Sequence, residues 1–270
     1  MTNSHSVKTK DLKLAGGLPA FLAVPDVRGK VPAVVLMHER YGLVQHSKDL
    51  AQRFAREGYV CIAPDCFFKH PDQDALHKGD ARYDLSDPES VEYLSAAIDA
   101  LDGVPEADTA RVAVKGVCQT GRHPLVLAAA RPITAALVWY GAASKREWEV
   151  TKYQPKPLDD VIAQVKCPVL GIFGEADHII SINDVRRFRE SLERHNKSFT
   201  INIYHGAPHG WLNDTMPGRY RRPQAEAALA AQNAFLKEVF DPNYDRSRIV
   251  QRYAAEISPN YDFSKNVRLE

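Results

Sequence analysis

No apolar run in this chain approaches the length needed to span a bilayer, so a transmembrane helix is not expected. The first ten residues, Met-Thr-Asn-Ser-His-Ser-Val-Lys-Thr-Lys, carry no apolar stretch of the kind a secretory signal requires. Charge of one sign is lacking as well. The chain has 35 Lys and Arg against 34 Asp and Glu, for a net charge of +1, and the basic residues are scattered rather than clustered. That balance offers no surface for a polyanion and argues against nucleic acid as a partner. Cysteine is scarce: Cys61, Cys66, Cys118 and Cys167 show no CxxC spacing. They read as free thiols in a reducing compartment, and the expected location is cytoplasmic. Neither His-Glu-x-x-His nor a Cys/His ligand spacing is present, so no metal and no cofactor are expected. Internal repeats and low-complexity tracts are also missing.

What the chain does contain is an alternation of strand-like and helix-like segments from residue 18 to residue 240. That pattern predicts an α/β fold, a mainly parallel sheet covered by helices on both faces. Strands are predicted at Leu18 to Val24, Pro32 to Met37, Tyr59 to Ala63, Val112 to Val117, Ala135 to Tyr140, Cys167 to Phe173 and Phe199 to Tyr204. Helices are predicted at Ser47 to Glu57, closed by Gly58, and at Val91 to Leu101 behind Asp87-Pro-Glu-Ser. A third follows Pro223, where Ala225, Ala228, Leu229, Phe235, Leu236, Val239 and Phe240 recur at helical spacing. Residues 66–87 are polar and irregular and are read as a lid or pocket wall, because long connections in compact domains usually have a use. Residues 144–166 read as a charged surface excursion. The expected organisation is one domain over residues 1–240. Residues 241–270 are then an extension that packs on that domain or on a neighbouring subunit of a homodimer, the chain being otherwise monomeric.

The segment Arg111-Val-Ala-Val-Lys-Gly-Val-Cys-Gln-Thr-Gly-Arg122 carries most of the chemistry. A strand runs to Val117, Cys118 follows directly, and a small-residue helix comes next. A strand, a sharp turn bearing a nucleophile and a helix form the nucleophile elbow of α/β-hydrolases, in which the tight turn lifts the nucleophile above the sheet. In that fold the acid and then the histidine follow along the chain. Gly174-Glu-Ala-Asp-His-Ile-Ile180 places Asp177 after one strand, and His205-Gly-Ala-Pro-His-Gly-Trp211 places His209 after the next. Carboxyl ends of strands are where open α/β sheets assemble their sites. A free cysteine is more often a core thiol, an isolated Asp a turn residue and a lone His a solvated one. It is the ordered set of three that points to catalysis.

These motifs together resemble the dienelactone hydrolase family. Its Gly-x-Cys-x-Gly-Gly elbow is matched by Gly116 to Gly121, with Thr120 in place of the first paired glycine. His38-Glu-Arg-Tyr-Gly42 matches its glutamate loop, Tyr59 to Asp65 its Tyr-x-x-x-x-Pro-Asp strand end, and Trp139-Tyr140-Gly141 another strand end. Gly174 to His178 matches Gly-x-x-Asp-His, and Ala207 to Trp211 matches Ala-x-His-Gly-aromatic. The resemblance spans roughly residues 18–240. It implies Cys118 as nucleophile, His209 as base, Asp177 as the group that orients the histidine, and Glu39 as a carboxylate touching the thiol. The oxyanion hole it implies uses the backbone N–H groups of Gln119 and Arg40. Two departures stand out. Thr120 adds bulk at the elbow and is expected to reshape it slightly. Asn213 occupies the position where dienelactone-cleaving members carry an arginine for the substrate carboxylate.

The expected activity is therefore cysteine-dependent hydrolysis of a small, partly aromatic or cyclic ester or lactone through an acyl-enzyme thioester. Tyr41, Tyr140 and Trp211 are expected to supply aromatic walls and, with Asn213, to lie near the substrate. Arg40, Arg82 and Arg122 are candidate contacts for an anion. Two alternatives stay open: a non-catalytic member of the fold that binds a small molecule, and a hydrolase of another acyl bond such as a thioester, amide or carbon–carbon bond.

Overall fold

A computed structural model describes residues 5–269. The chain opens with a hairpin, β1 (Val7–Lys13) and β2 (Pro19–Pro25), followed by β3 (Val31–Leu36), α1 (Gln45–Arg56) and β4 (Val60–Pro64). The connection read as irregular contains a short helix, α2 (Gln73–Lys78), and leads to α3 (Asp87–Ala100). Next come β5 (Ala107–Val117), α4 (His123–Ala130), β6 (Ala135–Trp139), α5 (Leu158–Gln164) and β7 (Val169–Ala176). α6 (Ile182–Arg194), β8 (Phe199–Pro208), α7 (Arg222–Val239) and β9 (Gln251–Ala255) complete the described elements.

The strands form one sheet in the order β1-β2-β4-β3-β5-β6-β7-β8-β9. β2 pairs antiparallel with both neighbours, and every other ladder is parallel. β4 and β6 are buried at every residue, and β3, β5 and β7 over most of theirs, as the covered faces of a parallel sheet demand. α1 and α7 cover one face, where Phe54, Leu229, Leu236 and Phe240 meet Cys61, Leu137 and Trp139. The opposite face is covered by α3 and its neighbours in one cluster and by α4, α5 and α6 in another. Burying each large apolar side chain contributes roughly 1.5–3 kcal/mol, which is what holds these amphipathic helices to the sheet.

The predicted strands and helices are present, with boundaries moved by a few residues. β5 begins at Ala107, five residues earlier than read, and its pairing with β3 shifts register between Pro32 and Ala33. Five elements had not been marked: β1, α6 and β9, and the short helices α2 and α5 inside the stretches read as irregular or as surface excursion. β9 pairs in parallel with β8, so part of the C-terminal segment extends the sheet. Among the described residues no helix is long and apolar enough to cross a membrane.

Candidate active site

β5 ends at Val117 and the chain turns at once. Cys118 has φ 57°, in the left-handed region that side chains rarely adopt. Tyr140 and Ala142, at the end of the adjacent β6, also have positive φ, 34° and 59°. Strain of this kind collects where surrounding structure over-determines a functional geometry. The crowding is direct: a Cβ on Gly116 would lie 2.4 Å from the Thr120 carbonyl oxygen, and one on Gly141 would lie 2.5 Å from that of Cys118. Thr120 does not loosen this turn. Its buried hydroxyl donates to the carbonyl of His38 at 2.8 Å and accepts from the N–H of Val117 at 3.0 Å. The added bulk thus ties the elbow to the loop that carries Glu39, correcting the expectation that it only reshapes the turn.

Asp177 is the first residue after β7 and His209 the first after β8, so both stand at the same sheet edge as Cys118. The Cys118 Sγ is 3.0 Å from His209 Nε2, and His209 Nδ1 is 2.8 Å from Asp177 Oδ2. A carboxylate only accepts, so Nδ1 carries the donated proton and Nε2 faces the sulfur. The other Asp177 oxygen accepts the N–H groups of Ile179 at 2.7 Å and Ile180 at 3.0 Å, which fixes the carboxylate plane. Burial works against a charge on His209. The neighbouring Asp177 and Cys118, by charge and by hydrogen bond, outweigh it and hold the imidazole well above its ordinary pKa. Cys61, Cys66 and Cys167 are buried, and burial pushes each thiol upward, that of Cys167 to about 12. Cys118 alone among the four is partly exposed.

Glu39 is brought to this site but makes no hydrogen bond to the thiol. Its two oxygens accept from the Tyr140 hydroxyl at 3.0 Å and the Asn213 amide at 2.7 Å. Asn213 is itself buried, and its carbonyl accepts from both the N–H and the hydroxyl of Thr215. It braces the glutamate.

Beside the thiol lies a cavity of about 160 Å³ whose lining includes Cys118, Gln119, Tyr140 and His209. Arg40, Arg82 and Arg146 bring positive charge to it, and Ile179 and Ile180 bring apolar surface. Four expected contacts lie elsewhere. Asn213 is spent on Glu39. Tyr41 turns its hydroxyl to Met216 and Arg219. Trp211 is fully buried against Trp139, Tyr140 and Tyr204. Arg122 is also buried, gripping both oxygens of Asp87 at 2.9 Å and donating to the Glu147 and Lys156 carbonyls. These four do not line the cavity. Conversely, Arg146 and Glu147 do line it, from a stretch read as outer surface, and Ile179 and Ile180 were not singled out. Two adjacent branched apolar residues directly after a loop aspartate were the available signal. A larger groove of about 510 Å³ runs between α1 and α7, but none of Cys118, Asp177 or His209 lines it. Among the described residues no group of three or more His, Cys, Asp or Glu side chains is placed to hold a metal ion.

A thiol at a strained strand-to-helix turn, followed along the chain by an acid and a histidine at successive strand ends of a mainly parallel sheet, defines an α/β-hydrolase. The sequence profile of the dienelactone hydrolase family matches residues 18–240, and the chain belongs to that family, whose members hydrolyse ester and lactone bonds. A Methylorubrum extorquens protein described as "Putative carboxymethylenebutenolidase" is 29% identical over 226 residues, covering 82% of this chain and 77% of that protein. A Yersinia pestis protein of the same description is 31% identical over 214 residues, covering 74% of this chain and 76% of its own length. The crystal structure of a "Putative Dienelactone Hydrolase" from Klebsiella pneumoniae superposes with a TM-score of 0.76 at 26% identity, covering 86% of this chain and 99% of that one.

Proposed function

We propose that this chain hydrolyses a small ester or lactone with Cys118 as nucleophile. The observation that carries this reading is the hydrogen-bonded series Cys118–His209–Asp177 opening on the cavity. His209 Nε2 takes the thiol proton, and the thiolate attacks the acyl carbon. The carbonyl oxygen becomes an oxyanion, held by the backbone N–H groups of Gln119 and Arg40. As the tetrahedral species collapses, the C–O bond breaks and the leaving alkoxide takes the proton from the His209 imidazolium. A thioester on Cys118 remains. His209 then removes a proton from water, the hydroxide adds to the thioester carbon, and the C–S bond breaks to release the acid. Asp177 holds the imidazole in the required tautomer and stabilises its charge. Glu39 supports this arrangement through Tyr140, whose ring packs edge-on against His209 at 5.4 Å between centroids.

The second half-reaction needs a neutral imidazole, while Asp177 favours the protonated one; in the acyl-enzyme the sulfur is a neutral thioester and no longer adds to that preference. Deacylation therefore accelerates as pH rises through the titration of His209. With a reactive aryl ester near pH 5, the acyl group is expected to accumulate on Cys118, visible by mass spectrometry of acid-quenched enzyme. An acyl adduct on another residue, or a turnover number that does not change between pH 6 and 9, refutes the scheme.

The cavity's size and charge bear on the substrate. A space of about 160 Å³ matches a single small ring rather than an extended chain. Arg40 Nε is buried without a hydrogen-bond partner among the described residues, and Arg82 is held by Asp84 at 2.7 Å. We assign the substrate a carboxylate that reaches these guanidinium groups. Arg40→Ala is expected to raise KM for a carboxylate-bearing aryl ester by roughly tenfold or more, and that of its neutral analogue by much less. Equal changes for the two esters would transfer the assignment to a neutral substrate.

A further inference from the structure

We propose that the segment after β9 is a strap that positions Asp177, with Asn266 as the positioning residue at its centre; the inference rests on the reading of Asp177 given above. This segment lies outside the part of the chain that the family profile covers, yet it is bonded at intervals to the strand ends and loops around Asp177 and His209. It leaves the sheet at Glu256, whose N–H still donates to the carbonyl of Ile203 in β8. The N–H of Ser258 then donates to Glu175, whose other carboxylate oxygen accepts the N–H of Gly206 at 3.0 Å and pairs with His205 at 2.6 Å. That carboxylate joins the end of β7, just before Asp177, to the last part of β8, before His209. Further along, the Tyr261 hydroxyl accepts the N–H of Ile182, the first residue of α6, at 3.1 Å. Asn266 comes between these anchors and the chain end. Its side-chain amide donates one hydrogen to the Glu175 carbonyl and the other to the Asp177 carbonyl, each at 3.0 Å. Finally the Leu269 carbonyl accepts from Arg219, in the loop that follows His209.

The two carbonyls that Asn266 holds belong to the peptide units before Ala176 and after Asp177, where β7 gives way to the loop. Fixing both sets the direction in which the Asp177 side chain leaves the backbone. The carboxylate's own bonds to Ile179 and Ile180 fix it only relative to that same loop. Without Asn266 the loop keeps the pairing of Ala176 with Pro208 and the bond to His209 but loses the side-chain tie to the Asp177 carbonyl, so the loop and its acid gain room to shift relative to His209. Displacements near 1 Å at such a site cost about a hundredfold in rate. The strap contributes little to the core: most residues from 256 to 269 are exposed or half-buried, and only Ile257 and Tyr261 pack against it as partly buried apolar groups. Its contacts are polar and local, as a positioning device requires.

The test uses the full chain and Asn266→Ala, with Tyr261→Phe, which keeps the ring and loses the hydroxyl. On any ester the wild type cleaves, Asn266→Ala is expected to lower kcat about 10–100-fold with KM changed less than twofold and the melting temperature nearly unchanged. Tyr261→Phe is expected to fall between the two. Amide hydrogen exchange gives a readout that does not depend on turnover. Peptides covering residues 174–182 are expected to exchange faster in Asn266→Ala, while those from β5 do not change. If wild type cleaves no ester, the functional reading fails and the exchange measurement still decides the strap. Unchanged kcat together with unchanged exchange at 174–182 would overturn it. So would a loss of activity matched by a global rise in exchange, because the segment would then only stabilise the fold.

Discussion

Cys118→Ala is expected to lower kcat/KM for a short-chain aryl ester by roughly 10⁴–10⁶, with the fold retained. The size follows from what one sulfur atom does in the proposed scheme. Without it no thioester forms, and the remaining oxyanion donors and binding contacts give only residual acceleration of attack by water. Folding should be spared because the side chain is small and partly exposed, and alanine keeps the Cβ that the φ of 57° already accommodates. Cys66→Ala is the matched control. Cys66 also follows a strand end, after Asp65, but it is fully buried and its N–H donates to His38 Nε2 at 3.0 Å. Removing its thiol is expected to leave turnover within a few-fold of wild type. Equal losses in the two variants, or none in Cys118→Ala, would remove Cys118 from the reaction.

The contrast between these cysteines shows what the sequence made legible. The elbow could be read because its chemistry is written in contiguous residues: a branched-residue strand, a small turn and a proline suited to a first helical turn. Asp177 and His209 could be read for the same reason, each lying within a few residues of a strand end. Relations between distant segments could not. Asn213 stands where the resemblance leads one to expect an arginine, but only the folded chain shows its amide on Glu39, 174 positions away. Arg122 looks like any charged residue until Asp87 closes around it. Among the elements, β1 escaped notice because it is an exposed, Lys-rich edge strand with no apolar face to reveal its period. β9 is equally exposed. α6 was legible in principle. Ile182, Val185, Phe188 and Leu192 fall on one face behind a Ser181–Asp184 capping box, and the polar residues between them obscured the stripe.

Lys115 is another residue whose surroundings depart from its sequence context. It lies three positions before Cys118 in β5 and looks like one polar position in a strand, but it is fully buried. Its Nζ has no hydrogen-bond partner among the described residues and sits 3.8 Å from the centroid of the Trp139 ring, with Phe54 beyond. Burial depresses its pKa to about 7, and Glu57 offsets only part of that. In the unfolded chain the amine titrates near 10.4, so between about pH 7 and 10.4 the unfolded state holds a proton that the folded state lacks. Stability therefore rises with pH through that window. Below it both states are protonated, and the full cost of the buried charge, on the order of a few kcal/mol, is present. Lys115→Met keeps the length of the side chain and removes the titration. The variant is expected to melt roughly 5–10 °C higher than wild type near pH 7. The gap should shrink steadily toward pH 10, and other titrating groups cancel because the two proteins share them. A constant gap across that range, or a variant less stable than wild type at pH 7, would show that the amine is already charged and satisfied in the folded protein, contrary to what its burial against Trp139 requires.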